Sequence, residues 1–424
     1  MLQVAYKEAL RLHSEHALPE DRLADCHFGL GDCLQQLGDS IIESCAGLPN
    51  AELTAEVEVD ARKNAGAVFK QAVQAYRKVK VSPEDGRVRV DACVNSANTL
   101  SSWAAMETAQ GEAGKASQLL VAAVEGCRRA LEQEEDAATW SNLADMLVAR
   151  AELLDEAAES EASVAAVYGE AMAAYSKACM LSSSEEGDDL PGLLNNWGVG
   201  LHSLGTHAKN QHLALTSLEE AAHRLREAIS FSRGDPQPHN ALGDTLMARA
   251  DLAGDSSEAL GCLNMALQEG YAAALRLLST DADALIGKAE VHTALGKLAL
   301  SADNRDVAGS HFREALQSYV AALRTPEALG ALRDRSDTRY NYACVCAHAL
   351  TCGALTGSDV AAAQQECVTI LAQLASIGMT TSDQIVTDPD FSRDAAAAAA
   401  DPWVFAPASS RSASIRMPMS SCGT

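Results

Sequence analysis

The sequence predicts an all-α fold, a right-handed α-solenoid of about seven extended helical hairpins, and three observations carry that expectation. Ala and Leu dominate a chain of 424 residues that is 47% hydrophobic yet only 4% aromatic, which suits closely packed helices better than sheets. One short pattern recurs along the chain: a large residue, two residues, a large one, a small one, two residues, a large one. Each copy is followed by a segment in which a small, a large and a small residue stand four and three apart, and both spacings place their residues on one helical face.

The first pattern has seven copies. The clearest are His27, Leu30, Gly31, Leu34 in HFGLGDCL; Trp140, Leu143, Ala144, Leu147 in WSNLADML; Leu194, Trp197, Gly198, Leu201 in LNNWGVGL; and His239, Leu242, Gly243, Leu246 in HNALGDTL. Weaker copies are Cys93, Ser96, Ala97, Leu100; Ala284, Gly287, Lys288, Val291; and Arg339, Tyr342, Ala343, Cys346. The second pattern reads Ala72, Tyr76, Val79; Ala171, Tyr175, Ala178; Ala221, Leu225, Ala228; and Ala315, Tyr319, Ala322. ALQEGYAAALR at 266–276 echoes ALQSYVAALR at 315–324 with one residue inserted. Gly or Ala at the small place lets two helix backbones approach closely, while Trp, Leu and Tyr fill the space beside them, so Trp140 and Trp197 are expected as core residues. One hairpin cannot bury its own apolar face, and neighbours must stack.

Together these residues resemble the tetratricopeptide repeat (TPR) family, whose units pair a W-x2-L-G-x2-Y helix with an A-x3-F helix that ends near proline. Pro83, Pro236 and Pro326 stand near the expected ends. Successive copies start 66, 47, 54, 45, 45 and 55 residues apart, against about 34 in the family, so the units are extended. They are similar in this to the long repeats of the plant mitochondrial import receptor.

The repeat region is expected over 21–380. Residues 1–20 read as a partial repeat or capping helix, 381–406 as a docking segment built on Phe391, Trp403 and Phe405, and 407–424 as a disordered tail with little to bury. In that tail Arg411, Ser414 and Arg416 would suit a basophilic kinase, making Ser414 a possible phosphorylation site.

Thirty-three Lys and Arg against 58 Asp and Glu give a net charge of −25, and no basic block offsets it. Nucleic acid is therefore not expected as a partner, nor is an RNA-binding helical-repeat role. No apolar run reaches the roughly 18–20 residues that a membrane span needs, so no membrane insertion is expected. The opening MLQVAYKEALRLHSEHALPED lacks a signal core and a transit character. An intracellular location follows, cytoplasmic by default, or organellar if the N-terminus is truncated. The twelve cysteines form no CxxC pair and no framework, which is intracellular usage. Cys344, Cys346 and Cys352 cluster without a partner that would complete a metal set, and His202, His207 and His212 recur at five-residue intervals that spread them around a helix. No metal or cofactor is expected. P-loop, GxGxxG, HExxH and GxSxG runs do not occur, and the acidic pairs sit in turns, so no catalytic residue and no enzymatic activity are expected.

What recurs instead is asparagine. In the family the residue just before the large-small pair points into the concave groove, and an amide there can bond the main chain of an extended peptide. The resemblance carries this to Asn95, Asn142, Asn196 and Asn341, with Asp32, Asn98, Asp145 and Asp244 lining the same surface. At these places Asn can equally tie helices together. The Lys and Arg that would clamp a C-terminal carboxylate are absent, since Phe28, Val94 and Ser141 stand at the first of those positions. The expected function is a protein-interaction scaffold that holds a basic or polar polypeptide segment in an acidic, Asn-lined groove. The alternative is an assembly subunit bound through its convex face or helix edges.

Overall fold

The computed structural model describes residues 20–46, 55–80, 88–182, 190–232, 234–325, 336–355, 360, 363, 365 and 367–371. Among these the chain is all-α, with fourteen α-helices, one π-helical turn and a single isolated antiparallel bridge between Lys80 and Val88. The expected capping helix, the docking segment and the tail with Ser414 lie outside the described residues.

The chain divides into two compact units, 1–248 and 249–424. In the first, four hairpins follow one another: α1 (Glu20–Ala46) with α2 (Ala55–Tyr76), α3 (Val90–Thr108) with α4 (Ala113–Leu131), α5 (Ala137–Glu156) with α6 (Glu161–Ser182), and α7 (Leu190–His207) with α8 (Gln211–Phe231). The next first helix, α9 (Gln237–Asp251), lies across the division. The second unit holds α10 (Ser256–Met265), a π turn (Ala266–Tyr271) and α11 (Ala272–Leu277) as one bent helix, then the hairpin of α12 (Ala282–Ser301) with α13 (Arg305–Ala322), and α14 (Ser336–Thr351). All seven copies of the first pattern fall on first helices: α1, α3, α5, α7, α9, α12 and α14. In the first unit the TPR-like hairpins stack one on the next.

Local chemistry sets the boundaries. Asp136, Asn210, Asp255, Asp281 and Asn304 each accept a backbone N–H in the first turn of α5, α8, α10, α12 and α13, which satisfies donors that a helix start leaves unpaired. The turn that follows a first helix uses a left-handed residue four times, at Gly111, Ala158, Asp303 and Gly353, with φ of 76°, 56°, 57° and 71°. Glycine adopts that conformation without cost and alanine does not. Ala158→Gly is therefore expected to raise stability by about 0.5–1 kcal/mol, read as a higher denaturant midpoint with an unchanged slope.

The packing explains the long period. Gly31 and Gly38 on α1 face Tyr76 and Phe69 on α2; a Cβ on either glycine would sit 2.5 Å from the ring. Gly198 and Gly205 meet Leu225 and Leu218 in the same way at 2.6 and 2.7 Å. Ala97 with Ala104, Ala144 with Ala151, and Ala289 with Gly296 repeat the seven-residue spacing, and these alanines are all buried. In four hairpins, α1–α2, α5–α6, α7–α8 and α12–α13, the first helix thus carries two small residues, two turns apart, against two large residues of its second helix, where a shorter repeat has room for one.

Every residue of the four second-helix triplets is buried. Tyr168 and Tyr175 lie at the centre of the first unit's core, with Trp140 and Trp197 packed against it as partly buried neighbours. Phe312, Tyr319 and Tyr342 occupy the core of the second unit. The inserted residue at 266–276 is absorbed by the π turn, so Ala266, Tyr271 and Ala274 stay on one buried face although Tyr271 stands five residues after Ala266 rather than four.

One register differs from expectation. On α12 the small place is Ala289, not Lys288, because Gly296 seven residues later meets the Phe312 ring at 2.6 Å just as Gly38 meets Phe69. Gly287 drew the pattern out of register, and its own role is a different one: a Cβ there would lie 2.1 Å from the Tyr271 ring of the preceding helix.

Candidate functional site: the polar row of the first helices

Counting from the small residue of each first helix, two positions carry the polar side chains. Two residues before it stand Asn95, Asn142, Asn196 and Asn341; one residue after it stand Asp32, Asn98, Asp145, Asp244 and Glu290. In a stack, the earlier position of one first helix lies beside the later position of the preceding one.

Three of the four asparagines make a bond across that junction. Asn95 donates to Asp32 at 3.1 Å, and the Tyr76 hydroxyl donates to the same carboxylate at 2.6 Å. Asn196 donates to Asp145 at 3.3 Å, where Tyr175 donates to the other carboxylate oxygen at 2.5 Å. Asn341 donates to Glu290 at 3.3 Å, and the Tyr319 hydroxyl lies within bonding reach of Asn341 and Thr293 beside the Glu290 charge. Each set takes an acid from one first helix, a tyrosine from its second helix and an asparagine from the next first helix. Glu290 was not among the residues expected here, since the one-residue slip of the pattern on α12 concealed it.

A second tie lies seven residues further along the same three helices in one place. Tyr168 and Ser203 are joined at 3.0 Å, and Ser203 donates to Glu152 at 2.5 Å, each residue one heptad from Tyr175, Asn196 and Asp145. Between these levels runs a smaller contact: Thr99 donates to Gln35 at 2.9 Å, and Thr245 meets His202 Nδ1 at 3.3 Å in the equivalent place.

Burial governs the electrostatics. Desolvation pushes Asp145 up to about 6, held back by the hydrogen bonds from Tyr175 and Asn196. Burial, and then the neighbouring carboxylate, drive the phenols of Tyr76 and Tyr175 well above their usual range, so each remains a hydrogen donor at physiological pH.

The junction between α3–α4 and α5 is different. Asn98 stands where the acid would be, Cys127 where the tyrosine would be, between the buried Ala123 and Ala130, and Asn142 in the asparagine place. A Cβ on Gly126 would meet that of Ala97 at 3.1 Å, so the helices close over the missing ring. The Asn98 and Asn142 amides are half-buried and have no hydrogen-bond partner among the described residues. Asp244 on α9 is exposed.

Among the described residues no group of three or more His, Cys, Asp or Glu is gathered to hold a metal, and no helix is long and apolar enough to cross a membrane. His202 pairs with Thr245, and His207 bonds the Ser203 carbonyl at 2.9 Å; the three histidines do not share one helix, since α7 ends at His207 and His212 lies on α8. Cys344 and Cys346 are buried thiols and Cys352 a half-buried one.

No family model matches the chain, and no curated protein matches it. Solved structures similar to it include YrrB, a TPR protein with an unusual peptide-binding site, at 18% identity over 54% of this chain and 90% of that one, TM-score 0.27. The nuclear import adaptor Nro1 of S. pombe is 15% identical over 67% of this chain and 94% of its own, TM-score 0.41. TTC0263, a thermophilic TPR protein of Thermus thermophilus, is 16% identical over 52% of this chain and 95% of its own, TM-score 0.28.

Proposed function

We propose that the protein is a non-enzymatic scaffold that holds an extended polypeptide segment along the polar row of its first helices. The observation that carries this reading is the pair Asn98 and Asn142. They stand in register with the interhelical ties, yet no bond among the described residues uses their amides. Each amide offers a donor and an acceptor, the complement of a peptide unit, so the two can bind main chain whatever its side chains are. Asn95, Asn196 and Asn341 each spend an N–H on an acid, and Asn95 and Asn341 also reach the Tyr76 and Tyr319 hydroxyls, so these three serve the interhelical ties first. Asp32, Asp145 and Asp244 add negative charge along the same row, and with a net charge of −25 they favour a basic or polar segment.

The two kinds of asparagine separate binding from stability. Asn98→Ala with Asn142→Ala is expected to leave circular dichroism and the unfolding midpoint unchanged while removing the partner from a quantitative affinity purification. Asn196→Ala takes a donor from the buried Asp145 carboxylate and is expected to cost about 1–2 kcal/mol of stability. Equal recovery of all partners on the wild-type and Asn98/Asn142 baits would transfer the reading to a subunit bound at its helix edges. Met180 and Phe231, 69% and 62% exposed near the ends of α6 and α8, are the apolar groups that such a contact would cover.

A further inference from the structure

In the second unit two histidines from different helices face each other. His292 on α12 and His311 on α13 bring their Nδ1 atoms to 3.2 Å, with ring centroids 5.4 Å apart and planes inclined at 33°. His292 is only 8% exposed, and His311 is half-buried. Glu314 follows His311 by three residues on α13, one turn along the same face, and its carboxylate stands 4.0 Å from Lys288 Nζ in a loose, half-exposed pair.

We propose that His292 and His311 form a chelating site for a zinc ion, with Glu314 as third ligand and water completing the tetrahedron. The scaffold function does not depend on this site. Two nitrogens bound to zinc at about 2.0–2.1 Å in tetrahedral geometry stand about 3.3–3.4 Å apart, and the Nδ1 separation already lies close to that bite. Imidazole donors with one carboxylate suit zinc rather than magnesium or calcium. A histidine and a carboxylate three residues apart on a helix are also the spacing by which helical bundles present metal ligands.

The protonation states agree with this. Burial pushes His292 down to about 4, with the neighbouring His311 acting in the same direction, and burial also lowers His311. Both rings are neutral at physiological pH, the form that binds metal. Without metal, one Nδ1–H donates to the other ring's Nδ1. On binding, that proton moves to Nε2 of its own ring, leaving two Nδ1 lone pairs for the ion and no net proton release from the imidazoles. Glu314 must turn from Lys288 to join them, which a 4.0 Å pair resists weakly. As the side chains stand, the three ligands are not gathered, so the turn of Glu314 is part of binding.

The test is calorimetric titration of zinc chloride into the chelator-stripped full chain, with thermal unfolding followed with and without zinc. Expected are one zinc per chain, a rise in the unfolding midpoint, at least about tenfold weaker binding in His311→Ala, and a smaller loss in Glu314→Gln. His207→Ala, on α7 in the other unit, should bind as the wild type does. A second readout needs no variant: cobalt added to the wild type should give a tetrahedral visible absorption that zinc abolishes. Indistinguishable zinc binding by the wild type and His311→Ala would overturn the proposal. So would the absence of both a heat signal and a cobalt spectrum, which would leave a histidine–histidine hydrogen bond and nothing more.

Discussion

Gly287→Ala is expected to destabilise the second unit by about 2 kcal/mol, although the same substitution at most helical glycines is neutral or favourable. Two effects oppose each other. Alanine is worth about 0.8–1 kcal/mol more than glycine inside a helix. Against that, the added Cβ would stand 2.1 and 2.3 Å from two carbons of the Tyr271 ring, far inside contact distance. Tyr271 is buried in the π turn and cannot swing into solvent, so either the ring or α12 must shift, and overpacking of this kind costs about 1–3 kcal/mol. The overlap here is severe enough for that cost to exceed the propensity gain. Gly261 on α10 has nothing within 4 Å of its missing Cβ, and Gly261→Ala should therefore stabilise by about 0.5–1 kcal/mol. Denaturant midpoints of the two variants that move in the same direction would refute the contact. In a Tyr271→Ala background the penalty of Gly287→Ala should disappear, the coupling expected of two groups in direct contact.

The second large effect centres on Asp145. Its ionised form is buried and held by Tyr175 at 2.5 Å and Asn196 at 3.3 Å. Tyr175→Phe removes the stronger donor while leaving the ring's packing intact. The expected loss is about 1.5–3 kcal/mol near pH 7, the range for a hydrogen bond to a charged group. The pH dependence has a definite sign. Asp145 titrates at about 6 in the folded chain and near 3.9 in an unfolded one, so the native state binds the extra proton between those values. The stability this group contributes is present below about 4 and is lost as pH rises through about 6. Asp145→Asn keeps an acceptor for Tyr175 but no longer titrates. Its unfolding free energy relative to the wild type should therefore improve as pH rises from about 4 to about 6 and level off above. A difference that stays constant across that window would show that Asp145 is not perturbed.

Much of this was legible in the sequence. The small residues at 31, 97, 144, 198, 243 and 343 mark first helices because only Gly, Ala or a comparably small group fits between two packed backbones, a constraint visible one residue at a time. The second-helix triplets were legible for the same reason. Harder to see was whatever depends on two helices at once. The groove places were read from single helices, where an asparagine has no stated partner; that Asn95, Asn196 and Asn341 reach acids 63, 51 and 51 residues away becomes apparent only when hairpins are stacked. Glu290 was missed because Gly287, which makes room for the tyrosine of the preceding helix, looks the same in sequence as a glycine that makes room for its own hairpin partner. His292 and His311, on separate helices, carry no motif at all.

The thiols give the molecule a use that has nothing to do with what it binds. Ten free cysteines lie in the described parts of both units, six of them buried, and burial holds Cys127 and Cys367 up at about 12. A thiol that is both covered and protonated reacts with an alkylating reagent only when its surroundings open. Each buried cysteine therefore acts as a clock for its own hairpin: Cys93 and Cys127 for α3–α4, Cys262 for α10, Cys344 and Cys346 for α14. The order in which they are modified in the native protein would rank the hairpins by how often each one opens, with no label introduced.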